Sequence, residues 1–248
     1  MLRLPSALVA IIALSISCSA ADFRYGIRDG GFAIHNGPAY FNRPLFGTPE
    51  PTMLLSGDRP AFAYFSPADL GKIGTLYLGL VTVRGGKWLH QFAEIEAVYQ
   101  PGLTRHVVED PVLQGGSLEV TALPLSTAEG FTLRLRWIKS PTDKVRLVWV
   151  FGGASGYKTN YSAQIEKLHL STSDTVQNAV RIWGSRFSLT SPSMKDREIL
   201  GACDLPGRLE RKDPRQVLAG PTAAELAAPS ESPVVVFAGD WPRPQDPI

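Results

Sequence analysis

Strict alternation of apolar and polar side chains between Phe131 and Trp137 is the feature that most constrains how this chain can fold. Aromatic residues and leucines occupy every second position, with Arg134 and Arg136 among the residues between them. This is the period of a β-strand with one buried and one solvated face. Turn signals separate further segments of this kind, and the chain holds 23 glycines and 20 prolines, which is typical of sheet proteins. Because no helices stand between the strands, βαβ folds are excluded and a large antiparallel all-β sandwich is predicted.

The remaining secondary structure is also predominantly β. The one region with a helical pattern is 213–228, where a short helix or capped turn is expected before Pro229. Thr222 is its predicted N-cap, and Glu225 three residues later would complete a capping box. The segment 145–151 is apolar on both faces, as expected for a central strand of a sandwich. The other predicted strands are 75–83, 93–99, 103–109, 118–122, 186–190 and 234–238.

Residues 1–20 predict a secretory signal peptide. A short basic start is followed by an apolar run over residues 4–16 and by small residues for cleavage; the run is shorter than the roughly 20 residues that span a bilayer. Cys18 offers an alternative, as the lipidated first residue of a lipoprotein, although Ser15 stands where that motif takes an aliphatic residue. No second stretch is long enough to cross a membrane. We therefore expect an exported protein, periplasmic or extracellular, with a possible lipid anchor at Cys18.

The rest of the chain has the size of one β domain, residues 21–240, followed by a linker or truncated tail over 241–248. The formal net charge is +2, so no global charge favours nucleic acid or anionic membranes. If Cys18 leaves with the signal, only Cys203 remains, and we expect it to be buried and inert. The four histidines show no metal-ligand spacing, so no metal or other cofactor is predicted.

Two unusual segments lie close together: 40–44, which reads Tyr-Phe-Asn-Arg-Pro, and 56–60, which reads Ser-Gly-Asp-Arg-Pro. Proline removes a backbone donor and restricts the residue before it to extended geometry. Arg43 and Arg59 are therefore expected on loops at strand ends. There a guanidinium can hold a carboxylate or a sugar hydroxyl.

These segments resemble a signature, N-G-x-x-Y-F-N-R-P-L-[YF]-G … G-D-R-P, of large secreted bacterial proteins with glycoside-hydrolase-like architecture. The match is close over residues 36–67 and looser over 26–241. In that family a β-sandwich of uncharacterised function, of the super-sandwich type, precedes an α/α-toroid domain of the six-hairpin glycosidase type. The residues that cleave glycosides belong to the toroid, and this chain ends at Ile248 before any such domain.

The resemblance therefore implies a non-catalytic N-terminal module of an exported carbohydrate-active protein, which packs against or assists the toroid. Such a module is not expected to be active alone; as part of an enzyme it would serve a glycoside hydrolase. The alternative is a self-standing carbohydrate-binding or cell-surface protein. Whether the coding sequence continues beyond Ile248 into a helical-repeat domain separates the two.

Two interpretations of the arginine-containing segments stay open. In the functional one, they lie at one rim of the sandwich and form a carbohydrate cleft or a seam with a neighbouring domain. In the structural one, Asp58 accepts from backbone amides of its own turn and pairs with Arg43 or Arg59, which pins the loops. A histidine before a turn and a tyrosine after a glycine-rich loop also suit sugar contacts. The binding or interdomain candidates are Asn42, Arg43, Asp58, Arg59, His35 and Tyr157.

Glu94 and Glu96 form the one pair of carboxylates that resembles a glycosidase pair. They flank Ile95 on a predicted strand and so share a face, roughly 7 Å apart, which lies in the range of an inverting pair. Alternating glutamates are, however, common on a solvated strand face, and nothing nearby in the sequence would raise either pKa. No catalytic residue is therefore assigned.

Overall fold

A computed structural model of the protein describes residues 25–47, 52–65, 71–158 and 165–242. The predicted signal peptide and Cys18 lie outside these ranges, as does most of the predicted tail. All strand pairs are antiparallel, and the helices are short, so the predicted all-β class is confirmed.

The described strands are numbered β1–β17 and the two α-helices α1 and α2. The strands are β1 Gly26–Arg28, β2 Gly31–His35, β3 Arg43–Phe46, β4 Met53–Ser56, β5 Ala61–Phe65, β6 Lys72–Thr82, β7 Gly85–Trp88, β8 Glu94–Gln100, β9 Leu103–Glu109, β10 Ser117–Pro124, β11 Phe131–Lys139, β12 Arg146–Gly152, β13 Ala179–Trp183, β14 Arg186–Thr190, β15 Ile199–Ala202, β16 Arg208–Lys212 and β17 Val234–Asp240. The helices are α1 Pro214–Val217 and α2 Pro221–Leu226, and single 3-10 turns cover Leu89–Gln91, Pro111–Leu113, Ile165–Lys167, Thr172–Thr175 and Pro192–Met194.

These strands form three sheets. The six-stranded sheet has the order β1-β2-β8-β9-β10-β11, and the eight-stranded sheet has the order β16-β17-β12-β6-β5-β4-β3 with β7 paired to β6. A three-stranded sheet, β13-β14-β15, was not anticipated as a separate sheet from the sequence. Phe187 of β14 packs on Trp149 and Phe151 of β12, with ring centroids 5.9 Å apart in each case. The small sheet therefore covers the part of the eight-stranded sheet around β12.

The main hydrophobic core lies between the six-stranded and the eight-stranded sheet. Side chains such as Ile95 and Val108 from one sheet meet Phe62 and Leu147 from the other, and all are fully buried. The alternation that predicted β11 is present, since its apolar side chains are half-buried and its arginines exposed. β11 is the edge strand of its sheet, which explains why its apolar row is only partly covered.

The centre of the eight-stranded sheet, around β12, is buried on both faces. Leu147 and Trp149 point into the main core, whereas Val148 and Val150 belong to a second apolar cluster on the opposite face. This second cluster is covered by α1, by α2 and by the loop that carries Leu168 and Leu170. Because both faces are covered, β12 reads as a continuous apolar run, as the sequence indicated.

A buried lysine ties that covering loop to the sheet. Lys72, at the start of β6, is fully buried, and its Nζ donates to the carbonyls of Lys167 and His169 and to Asp174 Oδ2, at 2.7 to 2.9 Å. Burial lowers the pKa of the amine, and the Asp174 carboxylate opposes that shift. Three acceptors compensate the buried charge.

The predicted capping box is wrong. α2 begins at Pro221 with Gly220 as its N-cap, and glycine has no side chain to cap it. Proline suits the first helical position because an N–H there would have no intrahelical acceptor. Glu225 pairs instead with Arg146. At the other end of the chain, Trp241 packs against Trp137 with ring centroids 4.9 Å apart, so the packed structure reaches Trp241.

Candidate functional site

The two signature segments interlock through their backbones. The Asp58 amide donates to the Ala39 carbonyl at 2.8 Å, and the Ala39 amide donates back to Asp58 Oδ2 at 3.2 Å. A Cβ atom at Gly57 would lie 2.6 Å from the Ala39 oxygen, so only glycine allows this approach. The loop before β3 and the turn before β5 are therefore held against each other.

Asp58 has tyrosine partners rather than arginine partners. Its carboxylate is buried, with 1% of the residue exposed, and Oδ1 accepts from the hydroxyls of Tyr25 at 2.6 Å and Tyr99 at 2.8 Å. Among the ion pairs of the described residues, none joins Asp58 to Arg43 or Arg59, so the predicted ion pair is wrong. The amide it accepts from belongs to the facing loop rather than to its own turn. Burial and then Asp58 raise the pKa of Tyr99, which keeps that hydroxyl protonated as the donor.

Arg43 binds the same tyrosines through their rings. Its guanidinium lies 4.7 Å from the ring centroid of Tyr25 and 5.1 Å from that of Tyr99, within the range of cation–π contacts. Asn42 Nδ2 donates to the Tyr25 hydroxyl at 3.5 Å. Arg43 opens the edge strand β3, where Pro44 costs no ladder hydrogen bond. We call Tyr25, Asn42, Arg43, Asp58 and Tyr99 the tyrosine–aspartate cluster.

A histidine that sequence analysis left unassigned supports this cluster from the core. His106 on β9 is fully buried, and its Nε2 donates to the Gly57 carbonyl at 2.7 Å. Burial lowers its pKa to about 4, so the ring is neutral at pH 7 and Nδ1 is left without a partner among the described residues. The cluster thus pins loops, as the structural interpretation expected, but with different partners.

Arg59 belongs to a second cluster, on the opposite face of the eight-stranded sheet. Arg59 Nη1 donates to the backbone carbonyl of His90 at 3.0 Å, and the Tyr40 hydroxyl donates to the same oxygen at 3.4 Å. The His90 ring lies 4.7 Å from Tyr77 and 6.0 Å from Tyr40, and the His169 ring lies 5.1 Å from Tyr40, all between centroids. We call Tyr40, Arg59, Tyr77, His90 and His169 the histidine–tyrosine cluster.

Both histidines of this cluster are neutral at pH 7. Burial, followed by His169 and Arg59, lowers the pKa of His90 to about 4. Burial and then Lys72 lower the pKa of His169. The Tyr77 hydroxyl accepts from the Leu170 amide at 3.1 Å and lies 2.7 Å from His169 Nδ1. Burial raises the pKa of Tyr77, so the phenol keeps its proton. We assign this proton to Nδ1, because the phenol oxygen already accepts from the Leu170 amide and Nδ1 is the acceptor beside it; the proton of His169 then lies on Nε2.

Sequence reasoning missed this cluster because its members are scattered along the chain. Tyr77 and His169 are 92 positions apart, and no motif links either residue to His90. The signal that was available is weak: Tyr40 and Arg59 both belong to the signature segments. Among the described residues no group of three or more histidine, cysteine or acidic side chains is placed to hold a metal ion.

His35 lies on neither cluster. It sits on the outer face of the six-stranded sheet, where its Nε2 is 2.7 Å from Glu94 Oε2 and both side chains are mostly exposed. Glu96 pairs with Arg28 on the same face. The two glutamates thus share an outer face, as the sequence indicated, and each has its own partner in an exposed charged surface.

Tyr157 lies beside the loop that covers the eight-stranded sheet. The ring centroid of Tyr157 is 5.1 Å from Lys167 Nζ, and the Tyr157 carbonyl accepts from the Lys72 amide at 2.8 Å. The ring packs against the second apolar cluster. The six candidates from the sequence therefore occupy four places. Asn42, Arg43 and Asp58 lie together in the tyrosine–aspartate cluster, whereas Arg59, His35 and Tyr157 lie in three separate places.

An apolar surface adjoins the tyrosine–aspartate cluster. Ile27 and Phe32 face each other across β1 and β2 and are 87% and 61% exposed. Phe32 is in turn the cross-strand partner of Tyr99, and directly opposed residues lie on the same face of a sheet. We call Ile27 and Phe32 the apolar rim.

Comparison with known protein families assigns the chain to one of them. A domain of unknown function, DUF4450, matches residues 70–231. The chain belongs to this family. The match begins after the signature segments, so β1–β5 precede it. No curated protein matches the chain, and no helix among the described residues is long and apolar enough to cross a membrane.

Proposed function

We propose that this chain is a non-catalytic β-sandwich module of an exported glycoside-hydrolase-like protein and that it packs against a catalytic α/α-toroid domain. The observation that carries the proposal is the apolar rim beside the tyrosine–aspartate cluster. The signature resemblance supplies the identity of the partner domain.

The apolar rim has the character of a docking surface. Ile27 and Phe32 are adjacent, largely exposed and continuous with Tyr99, and exposed apolar patches of this kind mark interaction sites. The rigid cluster beneath it, with Asp58 holding two tyrosines, fixes the loops at this rim. A rigid support reduces the entropy lost when a partner docks.

The non-catalytic part of the proposal rests on how the carboxylates are used. Asp58 is buried and engaged with Tyr25, Tyr99 and the Ala39 amide. Glu94 and Glu96 lie on an open charged surface, without the apolar enclosure that prepares a general acid.

A self-standing carbohydrate-binding protein is the second candidate. One observation favours it: Tyr40 and His169 of the histidine–tyrosine cluster are half-buried and combine aromatic faces with hydrogen-bond donors. Such surfaces can stack on sugar rings and bind their hydroxyls.

The docking proposal is tested with matched surface variants. The chain is mixed with a separately produced α/α-toroid domain from a protein that carries the signature, and the mixture is analysed by sedimentation velocity. We expect a 1:1 complex that Ile27→Ser or Phe32→Ser weakens by at least tenfold. Leu226→Ser is the control, because Leu226 is 80% exposed on α2. A complex that tolerates both rim variants, or no complex, contradicts the proposal.

The catalytic part is tested separately. The purified chain should not hydrolyse aryl-glycosides or polysaccharides. Turnover that disappears in Glu94→Gln or Glu96→Gln would make the glutamate pair an active site. Export is tested by N-terminal sequencing of the mature protein, which should begin after Ala20 or Ala21; a lipidated Cys18 would support the alternative.

A further inference from the structure

We propose that the histidine–tyrosine cluster binds a carboxylate-bearing sugar, a uronate, and that Arg59 holds the carboxylate. The sugar class rests on the proposed function. The preference for an anion rests on the charges and contacts of the cluster itself.

Arg59 is a half-buried cation without a counter-charge. Among the described residues its side chain makes one hydrogen bond, to the neutral carbonyl of His90, and none of the ion pairs among those residues includes it. A guanidinium carries five N–H donors in a planar fork, so most of its donors remain for a ligand. Carboxylates match that fork in a bidentate geometry.

The groups around Arg59 leave its charge uncompensated. Tyr40 remains a neutral phenol, because burial raises its pKa, and His90 is a neutral imidazole. The nearby Lys72 is matched by Asp174. Arg59 is thus the one charged member of the cluster, and the Glu166 carboxylate acts on His169 from outside it. An anionic ligand on Arg59 would neutralise the guanidinium charge in a partly desolvated place, where charge interactions are stronger.

His169 supplies a second donor. Its Nδ1 faces the Tyr77 hydroxyl, and with the Tyr77 proton assigned to Nδ1 the proton of His169 lies on Nε2. The residue is half-buried. The Tyr77 hydroxyl is itself fixed by the Leu170 amide. This chain of hydrogen bonds selects the tautomer of His169, as partners of a histidine commonly do.

Tyr40 links the two donors and adds an aromatic surface. Its hydroxyl meets the same carbonyl oxygen as Arg59, and its ring packs edge-on against His169. Phe41 also packs against His169, with ring centroids 5.0 Å apart. A sugar that places its carboxylate on Arg59 can set its apolar ring face on Tyr40 and a hydroxyl near His169.

Arg43 does not offer an equivalent site. Its guanidinium is covered by the rings of Tyr25 and Tyr99, and the buried Asp58 carboxylate lies beside those rings. A second anion there would meet a like charge. The two Arg-Pro segments therefore differ in chemistry although they look alike in sequence.

The test uses proton NMR of the full chain, since it holds four histidines. D-Galacturonate is titrated into the millimolar range, and the Cε1–H resonance of each histidine is followed after assignment with His→Gln variants. We expect a saturable shift of His169. His35, on the outer face of the other sheet, and His106, in the core, should not move.

Arg59→Gln should weaken galacturonate binding at least tenfold, which corresponds to about 1.4 kcal/mol. Arg134→Gln is the matched control: it removes the same charge from an exposed position on β11 and should leave binding unchanged. An unshifted His106 resonance verifies that Arg59→Gln is folded. A second variant, His169→Gln, is measured by calorimetry, and we expect it to bind galacturonate more weakly.

Three results would overturn the inference. Galactose that shifts His169 as strongly as galacturonate would remove the role of the carboxylate. Acetate that binds as tightly as galacturonate would remove the role of the sugar. Equal affinity for galacturonate in Arg59→Gln and in the unsubstituted chain, including no binding in either, would remove the role of Arg59 in binding. None of these outcomes affects the docking test, because Ile27 and Phe32 lie on the six-stranded sheet.

Discussion

Replacing Asp58 with alanine gives the sharpest test of how the signature segments work. The substitution removes the acceptor of two tyrosine hydroxyls and of the Ala39 amide. It also leaves a small void between two loops whose backbones are in contact. We therefore expect a loss of stability that exceeds the loss of one ordinary surface hydrogen bond.

The magnitude follows from which donors are left unpaired. The Tyr99 hydroxyl points into a buried site, and an unsatisfied buried donor costs about 1–3 kcal/mol. The unpaired Ala39 amide adds a smaller cost, because Ala39 is partly exposed. The Tyr25 hydroxyl adds little, because it can turn toward water. We expect a total of about 2–4 kcal/mol, or a fall in Tm of about 4–16 °C for a domain of this size.

The measurement is urea unfolding followed by tryptophan fluorescence, at constant pH and salt. Tyr99→Phe removes one hydroxyl and should cost about 1 kcal/mol. A double-mutant cycle between Asp58→Ala and Tyr99→Phe should give a coupling energy above about 0.5 kcal/mol. The matched cycle with Arg43→Ala should give a smaller coupling, because Arg43 contacts the rings and not the carboxylate.

Two outcomes would refute this reasoning. A cost below about 0.5 kcal/mol for Asp58→Ala would mean that the loops do not depend on the carboxylate. A coupling to Arg43 larger than the coupling to Tyr99 would restore the ion pair that the sequence suggested.

The remaining predictions concern buried polar groups. Burial lowers the pKa of His90 and of His106 to about 4 in the folded protein, against 6.5 for an unperturbed histidine. The stability of the fold is therefore full above pH 6.5 and falls by about 3 kcal/mol for each histidine as the pH falls toward 4, because the unfolded chain takes up the protons first. Urea midpoints between pH 7 and pH 4 should show the decline, and His→Gln at either position should flatten it. Lys72→Met should cost about 3–5 kcal/mol because it strands Asp174, whereas Asp174→Asn, which keeps an acceptor, should cost less in the same assay. Cys203, whose thiol pKa is raised by burial, should react slowly with a disulfide reagent in the native protein and rapidly in urea.

Periodic patterns were the part of the sequence that predicted structure well. The segments 103–109 and 186–190 coincide with β9 and β14, because alternation and flanking turns are local properties. β6 begins at Lys72, three residues before its predicted start. The prediction started too late because a charged residue such as Lys72 indicates a strand boundary unless its buried partners are known. The capping box failed for a related reason: Pro221 starts the helix one residue before the residue that would cap it.

The sequence by itself determined the class of fold and the closeness of the two signature segments, because strand period, turn residues and short separation act locally. Only the tertiary structure decided which partners those segments have. Asp58 meets Tyr25, which precedes β1, and Tyr99 of β8, although they lie 33 and 41 positions away. Arg59 meets His90 from 31 positions away. A charged side chain takes its partner from whatever the sheets bring within hydrogen-bond distance. Pairing by charge alone therefore predicted an ion pair, while burial between two sheets selected two phenols for the carboxylate and left one arginine without a counter-charge.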